Sequence, residues 1–309
     1  STPPPVGLTA TVGTNFAPLM WTIRDASNNP LANTAVTFAS TGVTLPVGPF
    51  FTDASGVITL TPTAHNTAGP SSVTPTIGTI TFSAVTMTNA PGAPSATTST
   101  FTPAGNSATV NTAFPVALTL TVRDQYGNLV ANGTPVSFAS SSITATAWYT
   151  PSSATTLAGV VTVPATANTI AGSYTLTPTA GGVPLTAIAV NLTNLPGAPS
   201  AANTLVIPVT TLGTPLTTVT NTTFTAISVI IRDQYNNVAT DSPATDVTFV
   251  APTTVGVAGV QAYTALVPTV NGVASITFTA NGTPGPYTVT ARLGGALGTV
   301  YATFYLSNV

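Results

Sequence analysis

The chain has 309 residues with only four basic and six acidic side chains, a net charge of −2, and no cysteine. All four bases are arginine and all six acids are aspartate, so Schiff-base, P-loop lysine, thiolate, disulfide and cysteine–metal chemistry are excluded. Four arginines over this length cannot track a phosphate backbone, and no apolar run reaches the ~18 residues of a spanning helix, so neither nucleic acid nor a membrane span is expected.

The chain opens Ser1-Thr2-Pro3-Pro4-Pro5, with no methionine and no apolar signal region, and reads as a processed or trimmed start. An apolar/Thr strand ending in Arg-Asp follows at Trp21-Thr22-Ile23-Arg24-Asp25. It recurs at Leu120-Thr121-Val122-Arg123-Asp124 and at Ile230-Ile231-Arg232-Asp233. Each copy runs into a polar turn (Ala26–Pro30, Gln125–Asn128, Gln234–Asn237) and then a short strand, Val36–Phe38, Val136–Phe138 or Val247–Phe249. Each unit closes on Thr88-Asn89, Thr193-Asn194 or Ser307-Asn308, and the first two closures lead into Pro-Gly-Ala-Pro-Ser at 91–95 and 196–200. Proline cannot donate to a sheet ladder, so these segments are inter-domain joints. The expected domains are 1–90, 91–195 and 196–309.

Short runs of Val, Thr, Ile, Phe and Tyr alternate with Gly, Asn and Pro, and no window carries a helical stripe. Period-2 placement at Val36/Phe38, Ile58/Leu60 and Val161/Val163 puts one face of each strand into a core. Asp53–Gly56 and Asn271-Gly272 read as turns in which glycine supplies positive φ. About seven short strands per hundred residues is the pattern of an Ig-like sandwich. The expected fold is all-β: three tandem Ig-like β-sandwiches in an elongated array.

Arg-Asp-Gln-Tyr-Gly-Asn-Leu-Val at 123–130, Val136-Ser137-Phe138, Ala158–Val161 and Ala171–Leu176 together resemble a bacterial Ig-like domain of the invasin/intimin type. The third unit matches through Arg232–Val238, Asn271–Ala274 and Gly285–Thr290, and the first through Arg24–Leu31 and Thr52–Val57. The resemblance implies extracellular, tandem, non-catalytic modules that serve as stalks, adhesin shafts or filament subunits.

Recurrence marks Arg24, Asp25, Arg123, Asp124, Arg232 and Asp233 as structural parts: the aspartate caps the turn that follows, and the arginine lies over an aromatic ring or bonds a loop carbonyl. Asp233, Asp241 and Asp246 are the candidate metal ligands, three oxygens-bearing side chains in one stretch, although their spacing matches no EF-hand loop. No cofactor is expected. His65 sits in a polar loop with no acid near it in sequence and reads as an exposed histidine. Trp21, two residues before Ile23 on a central strand, belongs to the core, whereas Trp148 and Tyr149 are the candidates for stacking on a sugar. Asn132, Asn191, Asn221 and Asn281 each open an Asn-x-Ser/Thr sequon.

So little charge gives almost no colloidal repulsion, and a surface of Thr, Ala, Val and Pro makes sense if it is covered by neighbouring copies or glycans. The first unit is short before its Arg-Asp, and the ends (Ser1, Pro3, Pro4 and Pro5 at one, Asn308 and Val309 at the other) are candidates for head-to-tail contact between copies. A sheet edge left open in one unit would accept a neighbour's strand. The expected function is therefore non-enzymatic: a secreted, self-assembling subunit of an extracellular filament, sheath or surface layer. The alternative is an adhesin shaft or cell-surface binding module with a receptor- or sugar-binding face.

Overall fold

The computed structural model describes residues 7–149, 153–239, 245–252, 256–261 and 264–309. These residues form tandem Ig-like β-sandwiches, with one short 3-10 turn at Thr186–Ile188 among the strands. Buried apolar side chains gather in three separate cores, one running from Ala10 to Met87, one from Phe101 to Leu192 and one from Phe224 to Leu306.

In the second sandwich, strand Gly105–Thr109 lies parallel to Val190–Leu195, and Gly172–Ala180, Pro135–Ser140 and Ser153–Thr155 continue that sheet. The facing sheet orders Thr100–Thr102, Leu118–Thr121 and Val160–Val163. Alternation sets the core: Tyr174, Leu176 and Ala180 point inward from one sheet and Leu118, Leu120, Val161 and Val163 from the other, while the threonines between them face outward. The third sandwich repeats this plan. Leu216–Thr218 lies parallel to Thr299–Asn308, followed by Gly285–Leu293, Val247–Val250 and Thr264–Val267. Leu205–Ile207, Ile227–Ile230 and Val273–Ile276 form its facing sheet.

The two-residue turn at Asn271-Gly272 has φ of 51° and 69° and is closed by hydrogen bonds in both directions between Val270 and Val273 (2.9 and 3.0 Å). Positive φ at both central residues is the geometry that an Asn-Gly pair adopts most readily.

The larger sheet of the first sandwich orders Leu8–Thr11, Val85–Ala90, Gly69–Ile77, Ala35–Thr41 and Phe50–Phe51, as in the others. In its facing sheet, among the described residues, Leu19–Thr22 pairs with Val57–Leu60, and the positions equivalent to Thr100–Thr102 lie outside the described residues. In the second sandwich Phe101, from the strand Thr100–Thr102, stacks on Phe138 with ring centroids 5.5 Å apart. In the first, Trp21 stands at the place of Leu120 and lies 5.2 Å from Phe38, which stands at the place of Phe138. Trp21 is fully buried, and its indole N–H has no hydrogen-bond partner.

Candidate functional site

The three Arg-Asp turns share one geometry. The aspartate carboxylate accepts the backbone N–H four residues on: Asn29 to Asp25, 2.8 Å; Asn128 to Asp124, 2.9 Å; Asn237 to Asp233, 2.9 Å. It also accepts the side-chain amide of the same asparagine, at 3.1, 2.9 and 2.8 Å. The residue before that asparagine has positive φ in each case, Asn28 at 68°, Gly127 at 85° and Asn236 at 69°, which the tight reversal requires. Arg24 and Arg123 close their turns from the other side, each guanidinium donating to a turn carbonyl, Asn28 at 2.9 Å and Gly127 at 2.7 Å. Arg232 is partly buried and its Nε has no partner.

In the second and third sandwiches the turn also grips the linker. Gly92 and Gly197, from the two Pro-Gly-Ala-Pro-Ser segments, each donate a backbone N–H to the remaining lone pairs of Asp124 and Asp233, both at 2.8 Å. Both aspartates are wholly inaccessible to solvent. Burial alone would raise their pKa, but bonds from the Asn side chain, the linker glycine and two turn N–H groups outweigh it and hold both carboxyls below the ordinary carboxylate value. Asp25 is exposed and is also held low, chiefly by the Asn29 backbone N–H.

The turn asparagine then reaches across to the preceding sandwich. Asn128 Nδ2 donates to the carbonyl of Asn66 at 2.8 Å, while its Oδ1 accepts the N–H of Ala68 at 2.9 Å. Asn237 repeats this pair with Thr169 at 2.9 Å and Ala171 at 2.8 Å. Beside the first of these clamps, Thr11, Val12 and Thr14 face the linker, Gln125 and Tyr126 across a cleft of about 430 Å³. Tyr126 lies so close to Gly13 that a methyl group placed there would sit 3.0 Å from its hydroxyl.

The loops that receive the clamp are themselves held by the closing asparagines. Asn89 Nδ2 donates to Gly42 and Thr67, Asn194 to Thr146 and Ile170, and Asn308 to Gly259 and Thr283, all at 2.7–3.2 Å. All three asparagines are buried. In the second sandwich Tyr174 donates its hydroxyl to Asn194 Oδ1 at 3.2 Å. In the third, Tyr287 Oη and Asn308 Oδ1 are both buried without a partner, and burial raises the pKa of both tyrosines strongly.

The remaining candidates fall elsewhere. Asp233 spends its carboxylate on four hydrogen-bond donors, Asp246 accepts the N–H of Thr269 at 3.3 Å, and Asp241 lies outside the described residues. Among the described residues no three His, Cys, Asp or Glu side chains converge. His65 is exposed, with its N–H on the carbonyl of Gly42. Trp148 is 52% exposed on the strand Ala147–Tyr149. Ser1, Pro3, Pro4 and Pro5 lie outside the described residues. Asn308 is not a free end for a neighbour to grasp, since its amide ties down loops of its own sandwich; the side chain of Val309 is exposed. The sequon asparagine Asn281 donates its side-chain nitrogen to Val257 at 2.8 Å, so a glycan on that nitrogen would break the loop.

The joint residues Asn66, Ala68, Asn128, Thr169, Ala171 and Asn237 were not singled out from the sequence. The available signal was the asparagine recurring four residues after each repeated aspartate.

No family model matches the sequence, and no curated protein does. Among solved structures the chain is similar to invasin, described as a bacterial integrin-binding protein, at 18% identity and a TM-score of 0.52. That match covers 98% of this chain and 59% of invasin, so the chain spans well under two thirds of that structure. It is also similar to FdeC, an Escherichia coli adhesin (21% identity, 100% of this chain, 99% of that one, TM-score 0.49), and to InvD of Yersinia pseudotuberculosis (19%, 97%, 96%, 0.49). The structural neighbours are thus bacterial Ig-like domains of the invasin/intimin type, and the likeness to invasin is one of fold.

Proposed function

We propose that this chain is a non-enzymatic structural element of the bacterial cell exterior, a series of rigid sandwiches at 1–90, 91–195 and 196–309 whose copies associate into a filament, sheath or surface layer. The observation that carries this reading is the use made of the repeated acids. In the two internal joints the carboxylates are spent on binding linker to turn, and the turn asparagine on binding one sandwich to the next. A catalytic acid needs free lone pairs and a pKa poised for proton transfer, whereas these carboxyls are saturated and held low. A surface almost without charge supports self-association, since nothing opposes close approach of copies. Electron microscopy of the native protein tests it: regular fibres or sheets are expected, and particles that stay single at high concentration would overturn it.

A second reading, an adhesin shaft, is favoured by the fold shared with invasin and by the exposed indole of Trp148. It calls for monomeric rods, and for sugar or receptor binding that is lost in Trp148→Ala.

A further inference from the structure

We propose that the exposed turn Asp25–Asn29 is the half-joint by which one copy docks on the third sandwich of another, Asn29 donating to the carbonyl of Gly282 in the loop Asn281–Pro284. This rests on the self-association reading above and names its interface. Two internal joints serve as the template. In each, a turn asparagine oriented by its own aspartate donates to a loop carbonyl, and its oxygen accepts the N–H two residues further on. The first sandwich presents the same turn with the same internal bonds, fully exposed, and Asn29 Oδ1 has no partner among the described residues.

The third sandwich presents the matching loop. Asn308 Nδ2 holds the carbonyl of Thr283 as Asn89 holds Thr67 and Asn194 holds Ile170. Gly282 therefore stands where Asn66 and Thr169 offer their carbonyls, and Pro284 stands where Ala68 and Ala171 offer their N–H groups. Gly282 and Pro284 are exposed.

The turn Asp25–Asn29 and the loop Asn281–Pro284 differ from the internal joints in ways that set the strength of the contact. Proline has no N–H, so Asn29 Oδ1 has nothing to accept and one of the two amide bonds is lost. Ser27 replaces Tyr126 and Tyr235 in the turn. The joint between copies is thus a reduced version of the joint within the chain, a contact of the head-to-tail kind.

The test is sedimentation of the full chain over a range of concentrations, comparing wild type with Asn29→Ala and Pro284→Ala. The second variant restores the alanine, and with it the N–H, found at this place in the other two sandwiches. It is expected to tighten self-association about fivefold, the equivalent of one added hydrogen bond, and Asn29→Ala to weaken it by a similar factor. Self-association that neither variant changes would overturn this joint and leave the broader reading standing. A wild-type chain that never associates would overturn both. Unchanged circular dichroism and melting establish that each variant is folded, and Pro284→Ala keeps the proposal falsifiable even if Asn29→Ala disturbs its turn.

Discussion

Asn128 and Asn66, 62 residues apart in sequence, meet across the first joint, the side-chain amide of one donating to the backbone carbonyl of the other at 2.8 Å. The same asparagine accepts the N–H of Ala68 and is itself oriented by Asp124. Asn128→Ala removes both bonds across the joint while leaving each core intact. Hydrogen exchange at the Ala68 amide is expected to rise sharply, with small-angle scattering reporting a wider spread of angles between the first and second sandwiches. An Ala68 amide as protected as in wild type would show that the clamp does not hold the joint.

Acid should loosen the same joints. Asp124 and Asp233 are held below the ordinary value of 3.8, so the ionised form is the one the folded state favours. Their contribution to stability is complete above that value and is lost as pH falls through the lowered pKa. Thermal unfolding followed from about pH 5 to about pH 2 is therefore expected to show falling melting temperatures in the most acidic range. Asp124→Asn should melt lower at neutral pH and lose less on acidification, because an amide can no longer accept four donors.

Trp21 and Trp148 should respond oppositely to truncation. Trp21→Ala empties the space against Phe38 in the core of the first sandwich, at a cost of about 3–5 kcal/mol. Trp148→Ala, at an exposed strand position, should change stability by no more than about 0.5 kcal/mol. Denaturant unfolding followed by far-UV circular dichroism separates the two.

The paired tyrosines give a sharper comparison. Tyr174→Phe loses the hydroxyl bond to Asn194 and leaves that buried oxygen unpaired, costing about 1 kcal/mol or somewhat more. Tyr287→Phe removes a buried hydroxyl that has no partner and should be neutral or stabilising. Equal destabilisation by the two substitutions would contradict the geometry described for the third sandwich.

Calcium or a chelator should leave the melting temperature unchanged. Every hydrogen-bonding position that Asp233 could offer a cation is already taken by Gly197, Tyr235 and Asn237.

What could be read from the sequence was what depends on neighbours along the chain. Thr and Val runs, Asn-Gly turns and an aspartate followed four residues later by asparagine state their local geometry directly, because strand alternation, positive φ and side-chain capping act over a few residues. Three recurrences of that local pattern, with Pro-Gly linkers between them, were enough to establish tandem Ig-like sandwiches. The tertiary structure decided everything that joins residues far apart. That Trp21 packs on Phe38, that Asn308 turns inward rather than outward, and that Asn128 and Asn237 reach into the preceding sandwich all depend on packing across sheets and joints. An asparagine in a polar turn looks the same in sequence whether its amide meets water or another sandwich, and only the meeting of two distant loops tells them apart.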